Sequence, residues 1–524
     1  MSGKRKQNFI EGALILMIAN LVVKIIGAGF KIPLNWLIDD EGMGIFGKAY
    51  TIYSSLFVIA TAGLPVAISK MVSESLVSDN KVLARKILRA ALFILGIIGL
   101  LGTAVLYCGA DWFSVKLGDP ACADAIRMIS PAVFFVSVLS ALRGFFQGHG
   151  DMRPTALSEV VESTVKLAVG LILSAHFIKQ GFKAGAEGAI LGVAFGTLCA
   201  LIALCVVRFL QSRKEPKSGT VSCGELSDIS KKLLIIAIPI TIGAAVTSLT
   251  SIIDMATISN RLIEIGFSVE KARELYGAYT GKAITLFNMP PTLIAAVSMS
   301  IVPAIAAAMH AGDKNAAREN STLAVRVTFL LTLPCAVGMM SLSDPILHLL
   351  FGENIAGDML MCLAPAVLFV SLVSVTTAIL QASGKVYLPV IHMLIGGIVK
   401  VVVNYILVGI PQININGAGI GTGVCYLLIA VLNLRAVSRI CDMHLTVSDI
   451  IKPLVASLFM AFVAIGSQYA VLRFTDTRFS VLFSIALAAI VYLIVLLMSQ
   501  GIRKNEILAL PKGEKIASML RRWL

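Results

Sequence analysis

Long apolar windows recur along the whole chain and constrain its fold more than any other feature of the sequence. The hydrocarbon core of a membrane is about 30 Å thick and needs about 20 apolar residues for each helical crossing, and the sequence holds about fourteen such windows. With 57% apolar and 14% charged residues, the composition excludes a soluble multidomain enzyme. Runs such as 90–106 and 479–498 are apolar on every side, whereas the strands of a membrane barrel alternate. We therefore predict an all-α polytopic membrane protein with about fourteen transmembrane helices.

Basic residues concentrate on one side of these predicted spans. The chain has 44 Lys and Arg against 30 Asp and Glu, a formal net charge of +14. They cluster in the two terminal tails and in the loops that follow even-numbered spans, which is the pattern of the positive-inside rule. We therefore expect a multi-pass protein with both termini in the cytoplasm. The basic charge is assigned to topology and to contact with membrane lipids rather than to nucleic acid.

Motifs for a cofactor, a metal or a catalytic centre are missing from the sequence. The nine cysteines form no CxxC pair, and only Cys108 and Cys122 flank a predicted outer loop, where free thiols are favoured over a disulfide. The sequence has no Walker A, HExxH or GxSxG motif. We therefore expect no catalytic residues, metal or cofactor, and a coupling ion, Na⁺ or H⁺, stays open. A membrane glycosyltransferase is a further alternative, disfavoured by the short outer loops.

The chain repeats itself at an offset of 234 residues. Pro131-Ala132-Val133 matches Pro365-Ala366-Val367, and polar residues match in the same register, among them Lys48 with Lys282 and Lys166 with Lys400. An even number of helices in each copy gives parallel repeats, an arrangement found in many secondary transporters. The predicted parts are two six-helix lobes at 1–212 and 231–440, a cytoplasmic linker at 213–230, helices 13 and 14 within 441–502, and an amphipathic tail at 503–524.

Ionisable residues inside the predicted spans are the candidates for a transport site, because charge is costly in a membrane unless it faces an interior cavity. In the first span, Lys24 and Lys31 lie two helical turns apart on one face. Deep acidic residues are scarce, which leaves Asp254 among lysines. The positive excess predicts an anionic substrate such as a pyrophosphate. The predicted substrate-binding residues are Lys24, Lys31, Lys282, Asp254, Asn20 and Asn35.

Other charged residues are secondary candidates with a plain structural alternative. Lys48 and Lys70, like Lys282, lie near span ends, where they either face the cavity or snorkel to the interface. On the fifth span, the spacing favours an ion pair of Lys166 with Glu162 over a proton relay. The secondary candidates are Lys48, Lys70, Arg261, Glu159, Glu162, Lys166 and Lys400.

Several segments resemble the stage V sporulation protein B group of polysaccharide exporters. This group is similar to MurJ-type lipid II flippases, within the multidrug/oligosaccharidyl-lipid/polysaccharide exporter superfamily. The matching segments are residues 8–14, 23–27, 40–44, 62–70, 143–148 and 152–156. The resemblance spans nearly the whole chain, and the last three segments are the most specific.

The resemblance implies a fourteen-helix, two-lobe fold in a bacterial cell membrane. Such a protein moves an undecaprenyl-pyrophosphate-linked sugar, lipid II-like, from the inner to the outer leaflet by alternating access. Its cationic residues hold the pyrophosphate, and Lys24, Lys31 and Lys282 match or lie close to such positions. The helix 2 arginine of MurJ-type proteins finds apolar residues near Phe57 and Val58, so the precursor of another wall or spore polymer is an alternative substrate.

Two further expectations concern partners and the competing transporter class. The expected partners are the lipid-linked oligosaccharide, membrane lipids and cell-wall synthesis proteins, and the expected state is a monomer. The alternative function is a cation-coupled multidrug exporter of the same superfamily. Such exporters use acidic residues in the cavity, and here Asp254 stands alone among lysines.

Overall fold

The computed structural model describes most of the chain as helix. It describes residues 2–78, 80–212, 223–292, 294, 305, 308–309, 311–352, 355–472 and 480–501, and within these ranges there is no strand. The chain divides into two compact units, Met1–Gly281 and Lys282–Leu524. The predicted tail at 503–524 and most of the predicted linker lie outside the described residues. The all-α prediction is confirmed, whereas the lobe boundaries stay predictions.

Within its described residues, the first unit contains eight α-helices of very different lengths. They are α1 Ser2–Ala62, α2 Leu64–Val77, α3 Lys81–Lys116, α4 Ala123–Gly148, α5 Arg153–Phe177, α6 Phe182–Ser212, α7 Cys223–Glu264 and α8 Val269–Ala278. Short 3₁₀ turns, Pro120–Cys122 and Ile178–Gln180, precede α4 and follow α5. A π-helical segment, Tyr279–Ala283, follows α8 directly.

Helix α1 is long enough to contain two membrane crossings. Its 61 residues, at 1.5 Å each, have a summed helical length of about 90 Å, roughly three times the thickness of the hydrocarbon core. The helix breaks at Asp39, whose φ of 52° and ψ of −174° are not helical. The two arms on either side of Asp39 correspond to the first two predicted spans.

Gly63 separates α1 from α2, and a proline follows in the first turn of α2. Pro65 lies in the first turn of α2, a position where its missing N–H removes no helical hydrogen bond. A Cβ on the preceding Gly63 would overlap the side chain of Thr241 and the carbonyl oxygen of Ala237, both on α7. The absence of a side chain at Gly63 therefore lets α7 approach the backbone at this break.

Helices α5 and α6 pack backbone against backbone. Gly188, Gly192 and Gly196 recur every four residues along α6, and a Cβ on any of them would collide with the backbone of α5. Small residues at this spacing allow close helix contact where the membrane gives no hydrophobic driving force. This contact fixes the face of α5 that carries Glu162 and Lys166.

The structure describes nine further helices of the second unit with both of their bounds. They are α9 Ile284–Phe287, α10 Lys314–Ser341, α11 Ser343–Phe351, α12 Gly357–Leu363, α13 Ala366–Ala382, α14 Tyr387–Val408, α15 Asn416–Cys441, α16 Val447–Leu472 and α17 Ser480–Met498. A buried ion pair joins Arg326 on α10 to Asp449 on α16. The hydroxyl of Tyr492 on α17 donates to the carbonyl oxygen of Leu330, with an O–O distance of 2.7 Å. Polar contacts therefore hold the last two helices on α10.

The two copies of the sequence repeat have matching backbone turns. Gly118 and Gly352, 234 residues apart, have φ angles of +68° and +80°. Gly150 and Gly384 have φ angles of +78° and +76°, and each amide bonds to the carbonyl of the glutamine three residues earlier, at 2.9 and 3.0 Å. Positive φ angles favour glycine, so the repeated glycines mark repeated turns.

Many helices expose apolar side chains laterally. Among the helices that the structure describes, nine are long and apolar enough to cross a membrane, or ten if the bent pair α12 and α13 counts as one span. Phe462 on α16 and Ile235 on α7 are 79% and 72% exposed, which suits contact with lipid. The chain is thus a multi-pass membrane protein, and the exact count of fourteen spans stays a prediction.

Candidate functional site

Three lysines from two helices lie near one another in the first unit. Lys24 and Lys31 stand on the first arm of α1, and Lys31 lies within electrostatic reach of both Lys24 and Lys166. The ammonium of Lys166 on α5 is 5.7 Å from the centroid of the Phe30 ring and 5.5 Å from that of Tyr50. We call Lys24, Lys31 and Lys166 the lysine cluster.

The described partners of the lysine cluster are neutral. Lys31 is half-buried, and its Nζ donates to the carbonyl oxygen of Thr280 at 3.4 Å. Among the described residues, the ammonium of Lys166 has two aromatic rings as its partners, and Lys24 is exposed. Within the described ranges, no carboxylate lies within ion-pair distance of these three ammonium groups. Ammonium groups that repel one another beside apolar walls attract an anion.

The carboxylates of α5 do not neutralise the lysine cluster. The expected ion pair between Lys166 and Glu162 is wrong, because Glu162 accepts from Arg143 on α4, with an Nη2–Oε2 distance of 2.9 Å. The same guanidinium donates from Nε to Ser158 Oγ at 2.9 Å. A planar fork facing two acceptors one turn apart holds the carboxylate better than a flexible ammonium on the same helix. Glu159 lies beside this pair, and its buried Oε2 accepts no hydrogen bond from a described group.

The polar stripe predicted on the first span divides between two environments. Asn20 is half-buried near Lys24 in the sequence. Asn35 is buried, and its amide donates to the carboxylate of Asp40 at 3.1 Å. Asn35 therefore bonds across the break at Asp39 and holds the turn between the two arms of α1.

Lys48 lies in a buried ion cluster rather than at the membrane interface. Its Nζ is 3.1 Å from Oδ2 of Asp119, which follows α3, and the two side chains are 1% and 0% exposed. Arg273 on α8 donates to the same carboxylate from Nε at 2.8 Å and from Nη2 at 2.7 Å. The Cys122 thiol donates to Asp119 as well, and the Tyr276 ring lies 5.8 Å from Lys48 Nζ. We call Lys48, Asp119 and Arg273 the Asp119 cluster.

The charges of the Asp119 cluster stabilise one another. Burial alone raises the pKa of Asp119, but the hydrogen bonds from Arg273 and the charge of Lys48 outweigh it and hold that pKa below its usual value. The carboxylate likewise raises the pKa of Arg273. The carboxylate of Asp119 and the guanidinium of Arg273 are therefore both charged at neutral pH.

The other predicted residues are dispersed over both units. In the first unit, Asp254 is buried on α7, Lys70 is exposed on α2, and Arg261 pairs with Glu264 at the end of α7. In the second unit, Lys282 is buried with its Nζ 6.0 Å from the centroid of the Phe351 ring, and Lys400 is half-buried on α14. Cys108 and Cys122 are free thiols.

Sequence reasoning missed Arg143, Asp119 and Arg273, which organise these clusters. Arg143 lies 19 residues from Glu162, and Asp119 lies 71 and 154 residues from its two cations, so no local spacing links them. The one available signal was the repeated glycine at Gly118, which marks the turn that carries Asp119. Among the described residues, no group of His, Cys, Asp and Glu could hold a metal ion.

Comparisons with known proteins agree with this fold. Stage V sporulation protein B of Bacillus subtilis (strain 168) is 25% identical over 97% of this chain and 98% of its own length. Lipid II flippase MurJ of the same organism is 27% identical over 80% of each chain. A solved structure of lipid II flippase MurJ in an inward closed conformation has a TM-score of 0.70 and 16% identity, over 92% of this chain and 98% of that one.

Two family models match the sequence. The MatE model matches residues 278–406. The model described as "Polysaccharide biosynthesis protein" matches residues 9–309, which is more than half of the chain. This protein therefore belongs to the polysaccharide biosynthesis protein family.

Proposed function

We propose that this protein is a flippase that moves an undecaprenyl-pyrophosphate-linked, lipid II-like precursor from the inner to the outer leaflet by alternating access. The lysine cluster carries the proposal. Three ammonium groups converge from α1 and α5, and their described partners are a carbonyl oxygen and aromatic rings. Such a site favours a multiply charged anion that lies within reach of all three groups.

A pyrophosphate suits the lysine cluster better than a single carboxylate does. Its two phosphate groups spread several negative charges over a few ångströms, so separate ammonium groups can each bind one as point charges. The relatives named for sporulation and for lipid II flipping support a lipid-linked substrate. A lipid-linked substrate also explains why a cationic site is built into a protein with extensive apolar lateral faces.

The proposal includes orientation, partners and chemistry. The distribution of basic residues supports cytoplasmic termini. We further propose that the protein acts as a monomer, without a catalytic step of its own, and that it works alongside cell-wall synthesis proteins. A gradient of Na⁺ or H⁺, or the membrane potential, supplies the driving force.

A cation-coupled multidrug exporter is the second candidate. The MatE match over residues 278–406 favours it, as do the buried carboxylates of Asp254 and Glu159. Cationic drugs, however, need an acidic cavity, and the described ion pair of α5 already uses Glu162. The charge of the lysine cluster favours the flippase.

The test is the accessibility of lipid II at the cell surface. Cells depleted of their native flippase would express this protein, and an externally added enzyme that cleaves outward-facing lipid II would report flipping. The Lys24→Gln/Lys31→Gln/Lys166→Gln variant should lose cleavage, while Lys179→Gln, a change at an exposed lysine in the turn after α5, should retain it.

Two outcomes would count against the flippase. Full cleavage in the triple variant would remove the lysine cluster from the mechanism. No cleavage with well-expressed wild-type protein, together with increased resistance to cationic drugs, would support the multidrug exporter instead.

A further inference from the structure

The Asp119 cluster joins three elements that are remote in the sequence. Lys48 lies on the second arm of α1, Asp119 lies in the turn between α3 and α4, and Arg273 lies on α8. Their side chains are 1%, 0% and 7% exposed. The cluster is therefore a buried set of ion pairs that connects α8 to α1 and to the turn between α3 and α4.

The cluster contains two cations and one carboxylate. Arg273 holds Asp119 with two parallel hydrogen bonds, at 2.8 and 2.7 Å. This fork matches a phosphate group as well as it matches a carboxylate. The next acidic group that acts on Arg273 is Glu41, which is half-buried. The pair of cations is thus suited to bind an anion of higher charge than Asp119.

The backbone around the cluster is packed closely at glycine residues. A Cβ on Gly44 would overlap the backbone of Arg273, and a Cβ on Gly277 would overlap the backbone of Asp40. Asn260 at the end of α7 donates to the carbonyl oxygen of Lys116 at 3.1 Å. The ion cluster adds the charged contacts of Lys48 and Arg273 with Asp119 to this close packing.

Helix α8 connects the Asp119 cluster to the lysine cluster. Thr280, whose carbonyl accepts from Lys31, follows Arg273 by seven residues, or about 10 Å of helix. Arg273 therefore lies close enough along the helix to receive an anion that leaves the lysine cluster in the proposed transport. In the proposed orientation this end of α8 faces the outer leaflet.

We propose that the Asp119 cluster is a latch, and that the diphosphate of the lipid-linked substrate opens it by replacing Asp119 on Arg273 and Lys48. The inference rests on the proposed function and adds a second diphosphate site at the exit. Loss of the carboxylate that accepts both of its hydrogen bonds is costly for a buried guanidinium. Arg273 therefore releases Asp119 only when a substrate anion replaces it, and α8 then leaves the turn before α4. Substrate binding thereby separates α8 from the turn before α4 on the exit side. Without substrate, the Asp119 cluster keeps these two elements together.

Hydrogen–deuterium exchange on the full chain in nanodiscs tests the latch, with inorganic pyrophosphate as the probe. Pyrophosphate should speed amide exchange in the turn 117–122 and in α8 by about tenfold, because local opening sets the exchange rate. Sulfate at equal ionic strength should give no such change. Asp119→Asn should exchange rapidly without pyrophosphate and show no further increase.

Variants at Arg273 separate the latch from the lysine cluster. Arg273→Gln should lose the response to pyrophosphate, and Arg273→Lys, which keeps the charge but not the fork, should weaken it. Arg127→Gln is the matched control, since Arg127 is a half-exposed arginine that pairs with Asp111 and Asp124. A wild-type response in Arg273→Gln and Arg273→Lys, or its absence from the wild-type protein, would overturn the latch.

The lipid II assay distinguishes failure of the latch from failure of the proposed function. If wild-type protein flips lipid II and both Arg273→Gln and Lys48→Gln flip at the wild-type rate, the latch is wrong and the flippase stands. If wild-type protein does not flip lipid II but pyrophosphate opens the turn through Arg273, the anion-operated latch stands and its lipid substrate is a different one.

Discussion

Asp119 and Arg273 are 154 residues apart in the chain, and the guanidinium of Arg273 donates two hydrogen bonds to the Asp119 carboxylate, at 2.8 and 2.7 Å. Their side chains are 0% and 7% exposed. A deeply buried ion pair often stabilises a protein no more than a well-packed apolar pair of similar volume does. Removal of one partner, however, leaves an unpaired buried charge and is strongly destabilising. The pair is therefore sensitive to single substitutions.

Asp119→Asn should destabilise the protein strongly. The substitution leaves Lys48 and Arg273 buried without their shared carboxylate, at a cost of about 3–5 kcal/mol. Asp111→Asn is the control, because Asp111 is 72% exposed and its pair with Arg127 contributes less than about 1 kcal/mol. Thermal unfolding in detergent should show a much lower melting temperature for Asp119→Asn alone. Equal melting temperatures for the two variants would contradict the buried ion cluster.

The contribution of Asp119 should depend on pH only under acidic conditions. Because the folded-state pKa of Asp119 is lowered, its stabilisation is present above the unfolded value of about 3.9 and disappears as the pH falls through the folded value. The difference in melting temperature between wild type and Asp119→Asn should be constant from about pH 8 to about pH 5 and shrink below about pH 4. A difference that already shrinks between neutral pH and pH 6 would show that another group controls the cluster.

Gly277→Ala should disturb the crossing of α8 and α1. A new Cβ would overlap the backbone of Asp40 and lie 2.6 Å from the amide nitrogen of Gly44, so the helices must separate at a cost of about 1–3 kcal/mol. Gly96→Ala is the matched control, since no atom lies within 4 Å of its added Cβ and alanine favours a helix. Thermal unfolding should show a loss for Gly277→Ala and no loss for Gly96→Ala. The close crossing is wrong if Gly277→Ala is equally stable.

Arg326→Gln should loosen the last two helices of the second unit. Arg326 is 6% exposed, pairs with Asp449 at the start of α16 and donates to the carbonyl oxygen of Gly501 at 3.3 Å. Its loss should cost about 3–5 kcal/mol and expose α16 and α17 to protease. Arg318→Gln, at a 42% exposed arginine paired with Asp442, should cost less than about 1 kcal/mol. Identical proteolysis of both variants would contradict this anchoring role.

Features that depend on neighbouring residues in the sequence, such as helices and their faces, were predictable from residue spacing. Apolar windows predicted helices throughout, and the seven-residue interval placed Lys24 and Lys31 on one face of α1. The repeat places Gly150 and Gly384 at the same register, and their φ angles of +78° and +76° show that the two copies have the same turn there.

Contacts between distant helices were beyond the reach of local spacing. The spacing along α5 predicts a pair of Lys166 with Glu162, yet Arg143 of another helix holds that carboxylate. Lys48 had two interpretations because Asp119, its partner, lies 71 residues away. Pairing of this kind depends on which helix faces pack together, and helical periodicity does not specify that choice.

The most direct test of the flippase is transport by the purified protein in proteoliposomes that contain a fluorescent undecaprenyl-pyrophosphate saccharide. A membrane-impermeant quencher added outside reaches only outward-facing lipid. Quenching of the fluorescence that comes from the inner leaflet therefore reports flipping. The account predicts flipping by wild type and Lys179→Gln, and a loss of about tenfold for each lysine of the cluster replaced by Gln, equivalent to about 1.4 kcal/mol. Wild-type flipping by the Lys24→Gln/Lys31→Gln/Lys166→Gln variant would contradict it.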